Sequence, residues 1–127
     1  PGHTPSCVTY HCVDRLFTGD CLLIGDCGNL CGDGADAGRL YDSITRKLLR
    51  FPDETLLYPG HDQHGRQVSC IGDERRNNPL FCGVSRDEFI ARLASRPHTL
   101  SPNSSEIAAA NRHSGLSIQK STSPSLP

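Results

Sequence analysis

The chain contains no methionine, so its 127 residues include no initiator. A sequence that opens inside a turn, at Pro1-Gly2-His3, is expected to be a piece of a longer product. It has no excess of charge: 13 Lys and Arg stand against 14 Asp and Glu, which excludes a nucleic-acid partner recruited by bulk charge. No apolar run approaches the roughly 20 residues that cross a bilayer, which excludes a membrane span. No signal peptide is visible, although a missing N-terminus would hide one. Hydrophobic residues are only 35% and mean hydropathy is -0.42, lean for a buried sandwich. The length suits one domain with a modest core.

Cysteine, in contrast, is abundant. Seven residues at positions 7, 12, 21, 27, 31, 70 and 82 are odd in number and uneven in spacing, which argues against a disulfide framework. Cys7, Cys12 and Cys21 sit in apolar strand context, where a free thiol acts as a small hydrophobe. The pattern suits reduced thiols in an intracellular protein, and the expected compartment is the cytoplasm or the mitochondrial matrix. Cys27 and Cys31 could pair or bind metal, but no second convincing pair accompanies them.

Alternating residues predict a strand over 6–12, a tight turn at Val13-Asp14 and a partner strand over 15–18. An apolar stretch continues over 21–24. Residues 25–38 are rich in glycine and aspartate and read as loop. Asp36 caps a helix predicted over 37–49, whose stripe is Leu40, Ile44 and Leu48 with Tyr41 and Leu49 alongside. A short buried strand over 55–58 delivers Pro59-Gly60-His61-Asp62. A helix follows over 69–77, stopped before Pro79. Ser85-Arg86-Asp87-Glu88 is a capping box opening a helix through Phe89, Ile90 and Leu93. No repeat is apparent, and the Ser/Thr/Pro-rich tail from Leu116 is expected to be disordered. These strands are too few to bury both faces of a sheet.

Three ligand-type residues stand in similar settings, each on a glycine-containing turn beside a predicted strand: Gly2-His3, Gly19-Asp20 and Gly60-His61. Two imidazoles and a carboxylate on such turns suit Zn(II) or Fe(II). Each alone is equally a surface loop residue or a cap; it is the set that points to metal. His11, His64, His98 and His113 read as ordinary strand or loop residues, with His64 alone near a candidate ligand. Arg75 and Arg76 could face an anionic substrate, or simply form a solvated helix face.

Pro1 to Tyr10, Phe17-Thr18-Gly19-Asp20 and Leu57-Tyr58-Pro59-Gly60-His61-Asp62 together resemble the C-terminal half of the metallo-β-lactamase superfamily. Within it they are most similar to the glutathione-dependent persulfide dioxygenase branch. Cys21-Leu22-Leu23-Ile24, Cys27-Gly28, Asp36-Ala37-Gly38, Leu40-Tyr41 and the run from Gly72 to Pro79 extend the match. The resemblance covers residues 1–95 as a partial domain and 96–115 more weakly, leaving 116–127 as tail.

It implies an α/β fold, half of a four-layer αββα sandwich with metal at one edge of its sheets. It implies that His3 and Asp20 match two of three Fe(II) ligands, the other histidine lying in a His-x-His-x-Asp-His motif that this sequence does not contain. His61 matches a second-metal position used by glyoxalase II. The activity implied for the parent is oxidation of glutathione persulfide by O2 to sulfite and glutathione, with a homodimer as an allowed assembly. Alternatives are a thioester hydrolase with a dinuclear Zn(II) site and a glutathione thioester as substrate, or a non-catalytic half-domain. A small zinc module built from the cysteines and histidines is disfavoured by their irregular spacing. The substrate loop departs from the family: Gly25 and Asn29 stand where arginines flank Cys-Gly, and Gln63 stands where tyrosine follows the His-Asp pair. Losing those groups should weaken a site for the carboxylates and thiol of glutathione. The chain by itself is expected to be inactive or nearly so.

Overall fold

A computed structural model of the chain describes residues 1–30, 32–62 and 65–97. Cys31, Gln63, His64, His98, His113 and the expected tail from Leu116 lie outside the described residues. The strands are β1 (Tyr10–Cys12), β2 (Arg15–Gly19), β3 (Leu22–Leu23), β4 (Asp26–Cys27), β5 (Leu56–Pro59) and β6 (Ser69–Cys70). The helices are α1 (Ala37–Arg46), α2 (Ile71–Asn77) and α3 (Arg86–Ala94). One mixed sheet has the order β1-β2-β5-β6, while β3 and β4 form a separate hairpin. The pairing of β2 with β5 is parallel; the other pairs of the sheet are antiparallel.

The strand predicted over 6–12 is shorter than its pattern. Pro5 has no N–H to give, and the Cys7 N–H turns back to the Thr4 carbonyl at 3.4 Å, so pairing starts only at Tyr10. All three β1 residues are exposed at the sheet's edge, so Cys12 is not the buried hydrophobe its context suggested. Cys21 is buried and Cys7 half-buried. The predicted loop over 25–38 contains β4, whose Cys27 faces Leu22.

The helix predicted over 37–49 ends earlier, at Arg46, and a 3-10 turn follows at Leu48–Arg50. That tighter turn still brings Leu48 into line with Leu40 and Ile44, all three buried. Asp36 caps α1 as expected, its Oδ1 accepting from the Arg39 N–H at 2.9 Å. The helix predicted over 69–77 loses its first two residues to β6, where Cys70 and Ser69 pair with Leu56 and Leu57. The Ile71 and Gly72 N–H groups then donate to the carbonyls of Thr55 and Asp53, so loop carbonyls satisfy donors that a side-chain cap would otherwise take. Only half of the predicted capping box forms. Ser85 accepts from the Glu88 N–H at 3.3 Å, but the Glu88 carboxylate turns to Arg92 at 2.6 Å.

The helices cover one face of the sheet. Leu16 and Leu57 are fully buried there, beside Leu40, Ile44, Ile71 and Phe89, each such side chain worth about 1.5–3 kcal/mol of transfer. Tyr41 stacks obliquely with Phe81 and Phe89, and its hydroxyl donates to the Val84 carbonyl at 2.7 Å. Tyr10 and Phe17 alternate out of that core and are 70% and 44% exposed, with Phe17 stacked on Tyr58. Among the described residues the second face of the sheet has no layer over it, in keeping with the strand count. No helix of the described residues is long and apolar enough to cross a membrane.

Burial decides the thiol chemistry. Desolvation pushes Cys21 up to about 11 and Cys27 up to about 12, so both stay protonated near neutrality. Their thiol form favours the fold fully below the ordinary value of 9.0, and that contribution is lost as pH rises through about 11 and 12. Iodoacetamide labelling of the folded chain at pH 8, read by peptide mass spectrometry, should therefore modify exposed Cys12 and Cys82 and spare Cys21 and Cys27. Equal labelling of all four would contradict that burial.

Candidate metal centre

Parallel pairing of β2 with β5 places Gly19 opposite Pro59. The residues that follow, Asp20 and Gly60-His61, therefore leave the carboxyl ends of adjacent strands side by side, the usual location of sites in such sheets. The Gly60 N–H donates to the Gly19 carbonyl at 2.8 Å and locks the two exits together. Buried Thr18 shapes the first exit: its hydroxyl donates to the Leu22 carbonyl at 2.7 Å, and its own carbonyl accepts from the Cys21 N–H. Asp20 is thereby carried at the tip of a tight turn.

His3 arrives from a different direction. The first residues are tied to α1, with the Ser43 hydroxyl donating to the Pro1 carbonyl at 2.7 Å and the Asp36 N–H donating to the Gly2 carbonyl at 2.8 Å. The His3 ring then lies against β4's outgoing loop, Nδ1 at 2.5 Å from the Asn29 carbonyl. A carbonyl can only accept, so Nδ1 carries a proton, and in the neutral ring Nε2 keeps its lone pair. That atom faces Asp20 Oδ2 at 3.7 Å.

Two Lewis bases turned toward one another at this distance form no direct hydrogen bond. They suit a shared cation, since donors about 2.1 Å from one ion are at most about 4.2 Å apart. His61 reaches the same carboxylate differently, by a direct hydrogen bond with its Nδ1 2.6 Å from Asp20 Oδ1. Asp20 thus turns one oxygen to each imidazole. Exposure differs, from 20% for the His3 side chain and 31% for Asp20 to 77% for His61. Gly28 permits the approach: a Cβ there would lie 2.0 Å from the Asp20 carbonyl oxygen and 2.9 Å from His3 Nδ1.

The structure places the side chains of His3 and His61 on either side of the Asp20 carboxylate. Among the described residues no group of three or more such side chains could hold a metal ion, and only the His3–Asp20 pair stands at a spacing that one cation could span. Arg75 and Arg76 go elsewhere. Arg75 donates to the carbonyls of Leu49 and Phe51 and meets Asp53, and Arg76 pairs with Asp53 at 2.7 Å. The Arg76 hydrogen bond is the main cause holding the Asp53 carboxyl below its ordinary value. Their guanidinium groups meet an anion of the chain itself, and neither bonds to His3, Asp20 or His61.

Sequence reasoning missed two parts of this edge. The Asn29 carbonyl that orients His3 is backbone and leaves no residue-type signal. Arg66 reaches back past His61 to the Ile24 carbonyl at 3.1 Å, and its only signal was a cation shortly after the His61 loop.

Comparison with known proteins gives relatives in sequence and in structure. Mouse persulfide dioxygenase ETHE1 is 45% identical over 92 residues, 71% of this chain and 36% of the relative. A hydroxyacylglutathione hydrolase of Hamiltonella defensa is 45% identical over 62 residues, 49% of this chain and 24% of that protein. The crystal structure of ETHE1 from Myxococcus xanthus superposes with a TM-score of 0.85 at 44% identity, over 91% of this chain and 52% of that one. A metallo-β-lactamase of Staphylococcus aureus gives 0.77 at 25% identity, over 87% of this chain and 37% of that one. The protein TTHA1623 in a di-iron-bound form gives 0.57 at 36% identity, over 64% of this chain and 39% of that one. No protein-family model matches the chain.

The chain belongs to the metallo-β-lactamase superfamily and has its α/β fold. Within the superfamily it matches the C-terminal part of a persulfide dioxygenase-like protein. It spans about a third of the length of the mouse relative, 36%.

Proposed function

We propose that this chain carries part of the iron-binding edge of a persulfide dioxygenase, with His3 and Asp20 as two ligands of one Fe(II) and glutathione persulfide as substrate. The observation that carries the reading is the lone pair of His3 Nε2 facing Asp20 Oδ2 across 3.7 Å, with the opposite ring nitrogen held by Asn29. When bound, Fe(II) with open positions supplies the means to bind O2 and sulfur together. The chain's own residues set the stage for it. The Asn29 carbonyl keeps the His3 proton on Nδ1 and so keeps Nε2 a donor. Asp20 contributes the negative charge, and Gly28 leaves room for both. In the balanced reaction the outer persulfide sulfur gains both atoms of O2 and one oxygen from water. Sulfite, glutathione and two protons are released.

A second reading is favoured by Asp20 itself, whose two oxygens face two imidazoles, His3 and His61. A carboxylate so placed can bridge two metals, and a hydrolase would use them to make hydroxide from bound water. A hydroxyacylglutathione hydrolase among the relatives and a di-iron neighbour support that reading.

Complementation separates the two. The 127-residue sequence contains no His-x-His-x-Asp-His, so the chain alone should consume no O2. Coexpressed with the N-terminal half of the mouse relative, it should bind one iron per complex and take up O2 with glutathione persulfide. Two metals per complex, thioester cleavage and no O2 uptake would replace the dioxygenase by the hydrolase.

A further inference from the structure

Beside His61 lies a small cleft of about 120 Å³ whose walls include Ile24, Gly25, Asp26 and Arg66. A wider hollow of about 290 Å³ adjoins it, and His61, Asp62 and Arg66 line both. The carboxylates here are already engaged. Asp26 pairs with Arg96 at 2.7 Å and accepts from the Cys27 N–H, while Asp62 accepts from the Arg66 backbone N–H. The Arg66 guanidinium uses one nitrogen on the Ile24 carbonyl. Its Nε and Nη1 have no hydrogen-bond partner among the described residues.

Position 25 explains where that guanidinium sits. The resemblance places an arginine there, and this chain has Gly25 at φ +68°. A Cβ on Gly25 would lie 3.3 Å from Arg66 Nη2, so a side chain at 25 would press on the guanidinium at 66 and displace it by a few tenths of an ångström. The cation absent from one strand exit is supplied from the far side of His61. We propose that Arg66 is the carboxylate-binding residue of this cleft, holding a carboxylate of a peptide-like thiol substrate while its sulfur points to the His3–Asp20 edge. A planar fork with open N–H groups suits a carboxylate better than a point charge does. The assignment rests on the reading that the substrate is a glutathione derivative.

The test titrates the 127-residue chain with γ-glutamyl-2-aminobutyryl-glycine, the sulfur-free analogue of glutathione, at millimolar concentration, by calorimetry and amide shifts. R66Q should weaken binding by about tenfold or more, and R66K should recover part of that loss. The diethyl ester of the analogue, lacking free carboxylates, should bind the native chain and R66Q alike. Circular dichroism of both variants checks that the fold is kept. Native-like binding of the analogue by folded R66Q overturns the proposal, and so does absence of binding to the native chain. Arg66-dependent binding without O2 uptake in the complemented protein removes the dioxygenase reading and leaves the carboxylate subsite. O2 uptake with an unchanged KM in R66Q sustains the dioxygenase and removes the subsite.

Discussion

Asn78→Ala is expected to cost about 3 kcal/mol or more, a large share of the roughly 5–15 kcal/mol that holds an ordinary domain folded. Asn78 is fully buried, and each end of its amide is in use. Nδ2 donates to Glu74 Oε2 at 2.8 Å and to the Asp26 carbonyl at 3.2 Å, and Oδ1 accepts from the Leu80 N–H at 3.1 Å. Glu74 is only 3% exposed and holds the Gly25 N–H and the Ser69 hydroxyl as well. One amide and one carboxylate thus bind α2 to β6 and to the β3–β4 hairpin. Truncation leaves a buried carboxylate short of a donor and strands a carbonyl and an N–H. Urea denaturation should show a large fall in midpoint with little change in slope. Asn77→Ala is the control, since Asn77 is exposed with one long contact to Asp73 at 3.5 Å. A loss at Asn78 no greater than at Asn77 would refute this account.

Asp20→Ala should have the opposite profile, with iron binding lost and the fold kept. Asp20 is the residue both imidazoles address, yet its side chain remains 31% exposed and packs in no core. Removing partners that merely orient a ligand costs 10–100-fold in metal affinity, so losing the anionic ligand itself should cost at least about 100-fold. Fe(II) titration of the complemented protein reads the affinity, and thermal unfolding without metal reads the fold. His61→Ala divides the two readings of the centre. Iron content should be unchanged for a single-iron dioxygenase, and one of two metals should be lost from a dinuclear hydrolase. Retained iron affinity in Asp20→Ala would remove Asp20 from the ligand set.

Local sequence carried the stripe of Leu40, Ile44 and Leu48 across α1 and the 3-10 turn after it, and the Asp36 cap, because periodicity and capping are short-range properties. It erred where long-range pairing competes. Ser69 and Cys70 suit a helix start but are claimed by β5, and the strand pattern before Tyr10 has no partner to pair with. The same divide runs through the site. Histidine and aspartate on glycine turns were visible as residue types, whereas the acceptor for His3 is a backbone carbonyl that any residue could provide.

The sequence by itself determined which side chains can take part: two imidazoles and a carboxylate at turn tips, and a family pattern running from Pro1 to Pro79. The tertiary structure decided what they do together. The parallel pairing of β2 with β5 put Asp20 beside His61, and the tie between residues 1–2 and α1 swung His3 onto the same carboxylate. The same packing turned Arg75 and Arg76 away to Asp53 and brought Arg66 over Gly25. Residue type sets the chemistry available, but distances between positions far apart in sequence arise only from the cooperative closure of the sheet and its helices.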